Sequence, residues 1–136
     1  MYRTLGLLKK PLENEASIEE TIKLIAEKLR FKYVELNMGE YGSKKDGFVP
    51  IYCMKIAAND YAFQINYQRG LGPFKSDKTK GFVRTDYNAL IEIVGNAADT
   101  DMEHFNDFTL ICENIEKTFD GILVEYNSDS KLWEKK

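Results

Sequence analysis

The hydrophobic positions change period several times along the chain, and each change marks an element. Residues 2–9 place Leu5, Leu7 and Leu8 ahead of Pro11, which suits a short strand closed by a residue that cannot donate to a ladder. Ile18, Ile22, Ile25, Ala26 and Leu29 then recur at helical spacing behind Ser17 and Glu20, a capping-box pair, so a helix is expected over residues 17–30. From residue 31 to 38 the period falls to two, with Val34, Leu36 and Met38 on one row of a second strand. Residues 39–47, with Gly39, Gly42, Ser43 and Gly47, read as a polar loop.

Two β-rich runs follow, residues 48–57 and 61–68, joined at Asn59-Asp60, a pair that tolerates the positive φ of a tight hairpin. The second run alternates. Tyr61, Phe63, Ile65 and Tyr67 share one face, and Ala62, Gln64, Asn66 and Gln68 share the other. Residues 69–81 have no period, and their three glycines, Pro73 and basic side chains predict a mobile basic surface loop. Residues 89–94 fit helical spacing too, but the β-branched run ending in Gly95-Asn96 favours a strand.

Thr100 and Glu103 form a second capping box. Phe105, Phe108, Cys112, Ile115 and Phe119 follow at spacings of three and four, predicting a helix over residues 101–120 with Gly121 as its left-handed C-terminal residue. Residues 122–126 read as a last strand and 127–136 as a polar tail. The order strand-helix-strand, hairpin, strand-helix-strand predicts a single α+β domain over residues 1–136. Its mostly antiparallel sheet would carry two amphipathic helices as a sandwich. Shifting the chain by 90 positions lays Val34, Glu35 and Asn37 on Val124, Glu125 and Asn127, a weak sign of duplication.

Composition sharpens this picture. The 136 residues are 43% hydrophobic and 30% charged, which excludes disorder, and no run approaches the ~18 apolar residues of a membrane span. A net charge of -3 argues against general nucleic-acid binding, yet the charge is uneven. Residues 1–85 carry 15 basic against 10 acidic side chains; residues 86–130 carry Lys117 alone against 11 acids. The acidic block favours a basic protein partner. Cys53 and Cys112 have no paired spacing, so free thiols in a reducing cytoplasm are expected.

Catalytic signals are weak. His104, the only histidine, falls at the edge of the second apolar stripe with no nucleophile placed beside it by spacing, so it reads as a packing residue. No three or four ligands share a metal-binding spacing. Neither metal nor cofactor is expected. The Gly70-Leu71-Gly72 stretch with Lys75, Ser76, Lys78 and Thr79 matches neither phosphate-binding loop pattern. The aromatic row Tyr61, Phe63 and Tyr67 suits a core face better than a base-stacking platform.

Leu110 alone departs from a plain solvated helix. It is expected to face outward among Glu103, Asp107 and Glu113, an apolar centre with an acidic rim, as an interface is built. The sequence therefore points to a non-enzymatic, cytoplasmic protein-binding module of inhibitor, immunity-protein or chaperone type, binding through Glu103, Asp107, Leu110 and Glu113. The alternative is a regulatory domain for a small cationic ligand. Its cleft would lie between the two strand-helix-strand halves, lined by tyrosines and a carboxylate such as Glu35 or Glu125.

Overall fold

Period-two alternation and two apolar helical stripes combine into a two-layer α+β fold in the computed structural model, which describes residues 2–9, 15–45, 47–69, 89–95, 97–99, 101–127 and 132–135. The elements in chain order are β1 (Tyr2–Leu8), α1 (Glu15–Leu29), β2 (Lys32–Ser43), β3 (Gly47–Ala58), β4 (Tyr61–Arg69), β5 (Ala89–Gly95), α2 (Phe105–Thr118), β6 (Gly121–Asn127) and β7 (Leu132–Lys135). The strands form one antiparallel sheet in the order β2-β3-β4-β5-β1-β6-β7. α2 carries the chain from β5 over β1 to β6, and α1 carries it from β1 to the far edge at β2.

Both helices lie on one face of the sheet, where the apolar rows meet. Tyr61, Phe63, Ile65 and Tyr67 of β4 are buried there with Met54 and Ile56 of β3, Ile91 and Ile93 of β5, and Ile18, Ile22 and Ile25 of α1. Each such side chain removed from water contributes about 1.5–3 kcal/mol. α2 adds Phe108, Ile111, Cys112 and Ile115, with Phe119 following its last turn. The residues at 89–94 are a strand, as their β-branched run favoured, because Ile91 and Ile93 alternate into this core.

Several boundaries differ from the sequence reading. α1 starts at Glu15, so Ser17 lies inside the helix. Its carbonyl accepts the Thr21 hydroxyl at 2.8 Å, and the Ser17–Glu20 pair cannot be the cap. Much of residues 39–47 is ladder rather than loop: β2 pairs with β3 as far as Ser43 and Gly47, since backbone pairing is indifferent to a polar sequence. Phe105 is half exposed at the first residue of α2, its ring 6.2 Å from that of Tyr2, and Ile111 joins Phe108, Cys112 and Ile115 in the buried stripe. Asp120, not Gly121, takes the positive φ after α2. Gly121 is needed for space, since a Cβ there would meet the Leu7 carbonyl oxygen at 2.7 Å. The stretch read as a polar tail adds the edge strand β7, paired to β6 from Asn127↔Leu132 to Val124↔Lys135. Of the predicted basic loop at 69–81, only Arg69, the last residue of β4, lies within the described residues.

Candidate functional site

The turn entering α2 is organised by one carboxylate. Asp99 Oδ1 accepts the Glu103 backbone N–H at 3.1 Å and Oδ2 accepts that of His104 at 2.8 Å, while the Tyr2 hydroxyl donates to Oδ2 at 2.5 Å. Asp99 thus satisfies helix-start amides that the Thr100–Glu103 capping box was expected to satisfy; Thr100 itself lies outside the described residues. The contacts with Tyr2, first, and with the two amides hold the Asp99 carboxyl below the usual carboxylate range despite its partial burial. Burial of the Tyr2 ring, reinforced by Asp99, pushes its hydroxyl up to about 12.

His104 packs, but from the N-cap position before α2 rather than from the edge of the helical stripe, and it carries more electrostatics than a packing residue implies. Its ring stacks on Tyr61 with centroids 4.7 Å apart. Nδ1 lies 2.9 Å from Asp107 Oδ2, and Nε2 lies 3.9 Å from Asp60 Oδ1 in the β3–β4 turn. The bond to Asp107, followed by the fields of Asp99, Asp107 and Asp60, raises the imidazole above its ordinary value, against the opposing effect of desolvation.

This scaffold holds a strained residue. Met102 has φ 54°, a left-handed conformation that costs a branched or unbranched L side chain about 1–2 kcal/mol. Its N–H donates to the Asp99 carbonyl at 3.0 Å and its carbonyl accepts from Phe105 at 3.3 Å. The result is two neighbouring large apolar side chains in water, Met102 at 57% and Phe105 at 50% exposure. Asp101 and Glu103 are exposed beside them, and Asp60 is fully exposed across the His104 ring.

The residues expected to bind a partner are only partly brought together. Glu103 is exposed at this turn. Asp107 is half-buried and engaged by His104. Leu110 is half-buried rather than outward, and Glu113 is exposed two turns beyond Glu103 and Asp107's turn. Sequence reasoning missed Tyr2, Asp60, Asp99 and Met102. Asp99 could have been noticed as a second acid ahead of the helix; Tyr2 and Asp60 reach the turn only through the fold, and the positive φ of Met102 leaves no sequence signal.

The face of the sheet opposite α1 and α2 holds a second arrangement. Arg3 Nε of β1 donates to Glu92 Oε2 of β5 at 2.7 Å, Asn66 Nδ2 of β4 donates to Glu92 Oε1 at 2.9 Å, and Gln64 Nε2 donates to Asn66 Oδ1 at 2.8 Å. A cavity of about 320 Å³ opens beside this chain of bonds, with Cys53, Gln68 and Leu90 in its wall. The expected tyrosine-lined cleft is not found among the described residues. Tyr61 and Tyr67 are core, Glu35 pairs with Lys55 at 3.3 Å, and the Glu125 side chain lies outside them. Both cysteines are free, Cys112 buried and Cys53 half-buried. Among the described residues no helix is long and apolar enough to cross a membrane. The chain matches no protein-family model, and neither a curated protein nor a solved structure is detectably similar to it.

Proposed function

We propose that the protein is a non-enzymatic protein-binding module whose docking site is the turn entering α2, with Met102 and Phe105 at the centre and Asp60, Asp101 and Glu103 as the rim. The partner that fits is a basic protein segment offering an apolar side chain between lysines or arginines. The observation that carries the reading is the exposure of Met102 in a strained conformation: stability alone favours glycine there, and a strained apolar residue in water is retained where it is used. Charge complementarity supports a basic partner, because Asp101 and Glu103 of the rim lie within the acidic block of residues 86–130 and Asp60 adds a third carboxylate from the β3–β4 turn. The reading keeps Glu103 from the sequence-derived set and moves the apolar centre from Leu110 to Met102 and Phe105. Asp107 positions His104, and Glu113 contributes to the field at longer range. His104 serves the same end by packing on Tyr61 and bringing Asp60 and Asp107 to the turn.

Selection from a displayed random-peptide library tests this. Enriched peptides should combine Lys or Arg with an aliphatic or aromatic residue. Phe105→Ala should weaken their binding roughly tenfold, as loss of an anchor does. The pair Asp101→Asn with Glu103→Gln should slow association and flatten its salt dependence. Enriched peptides that bind both variants like the unmodified protein would overturn the reading.

A further inference from the structure

We propose that the face of the sheet opposite α1 and α2 carries a small-molecule site, centred on Gln68, for a neutral planar heterocycle with a hydrogen-bond donor and acceptor side by side on one edge, as nucleobases have. The case begins with Gln68. It is only 8% exposed, and no hydrogen-bond partner for its amide is found among the described residues. In register it sits between Ile51 of β3 and Leu90 of β5, two apolar side chains that offer it nothing. Among the described residues, no side-chain nitrogen or oxygen fully sealed from solvent lacks a partner. The Gln68 amide therefore keeps contact with solvent, and Gln68 is one of the residues that line the cavity. A volume near 320 Å³ is far larger than one water needs and falls in the range of small-molecule sites.

The rest of the wall narrows the chemistry. The charges are already spent on each other: Arg3 Nε holds one Glu92 oxygen, and Asn66 takes the second. The paired Arg3 and Glu92 leave the wall without net charge, so a neutral occupant fits best. Glu92 accepts only, which turns the Asn66 amide nitrogen toward it and the oxygen toward Gln64, and the seam is thereby fixed rather than free to flip. Burial raises the Cys53 thiol, with Glu92 adding to it, so this part of the wall also stays uncharged. Leu5, Ile51 and Leu90 supply apolar surface for a flat ring, while Gln68 presents one donor and one acceptor in a plane. A carboxamide in that setting pairs bidentately with an edge of the kind adenine or uracil carries.

The test uses the full chain labelled with nitrogen-15, titrated with adenine and with uracil, and with benzoate and benzylamine as a similarly sized anion and cation. The expected result is saturable shifting of the Gln68 and Asn66 side-chain amide signals by adenine or uracil, with benzoate and benzylamine at least tenfold weaker. Gln68→Leu keeps the bulk and removes the paired edge, so saturation should need at least tenfold more ligand; Gln68→Met serves if that variant does not fold. The proposal is overturned if neither base saturates these signals, if either ion binds as tightly as the bases, or if a folded Gln68 variant binds unchanged.

Discussion

Asp99 and Met102 show how much a few atoms decide at the entrance to α2. The Asp99 carboxylate collects Tyr2 and two backbone amides, and the turn it fixes leaves Met102 at positive φ. Met102→Gly should therefore raise stability, by up to about 1 kcal/mol in denaturant melts, while weakening binding of a selected basic peptide. A variant neither more stable nor weaker in binding would remove the strain from the account. Titration of the same cluster gives stability a defined pH window. The His104 value is raised, so its contribution is complete below about 6.5 and is lost as pH rises through the raised folded value. That of Asp99 is lowered, so its contribution is complete above about 4 and is lost as pH falls through the lowered value. Melting temperatures should peak between about pH 4 and 6.5. His104→Gln should flatten the alkaline fall and Asp99→Asn the acid one; identical profiles in all three proteins would contradict these assignments. Deeper in the fold, Phe108 is 6% exposed and its ring stacks on Tyr2 at 5.2 Å and on Phe63 at 6.1 Å. Phe108→Ala should cost about 3–5 kcal/mol, and a loss under about 1 kcal/mol would mean that α2 does not face the core.

Elements follow the sequence where one face is buried and depart from it where the backbone decides. The stripe of α1 and the alternation of β4 could be read residue by residue, since each apolar position must find the core. The hairpin at Asn59 was legible for a local reason, and Asn59 does take φ 58°. The ladder through residues 39–43 and the strand β7 were not, because an edge pairing needs only amides and carbonyls and leaves no period in the side chains. The end of α1 shows the same limit. Arg30 holds φ 61°, with its N–H on the Glu27 carbonyl at 3.0 Å and that of Phe31 on the Ala26 carbonyl at 2.8 Å, a Schellman closure in which glycine is usual. No sequence rule places arginine there. Arg30→Gly should stabilise the protein by about 0.5–1 kcal/mol; destabilisation in denaturant melts would mean that the Arg30 side chain contributes more than its backbone strain costs.

At the scale of the whole molecule, the sheet separates two surfaces of different chemistry. The helix side ends in an acidic turn with an apolar tip, and the opposite face carries a charge-compensated polar seam. The uneven charge of the chain was plain in the sequence and drew attention to α2, whereas the exposed Met102 and Phe105 at its entrance became visible only with the fold. Placing Leu110 at the centre assumed a helix running from residue 101. α2 begins four residues later, and the chain before it folds back onto Tyr61 and onto Tyr2, the second contact joining positions 97 residues apart. The row Gln64, Asn66 and Gln68 was visible as alternation, while its partners Arg3 and Glu92 became visible only with the strand order β4-β5-β1. The central claim is that a basic segment docks on the turn entering α2. Mapping a selected basic peptide on the nitrogen-15-labelled protein by amide chemical shifts tests it most directly. The largest changes are expected at Asp60, Asp101, Met102, Glu103 and Phe105, diminishing as salt is raised. Changes centred on Asn66 and Glu92, or around Leu110 and Glu113 with the turn unmoved, would contradict it.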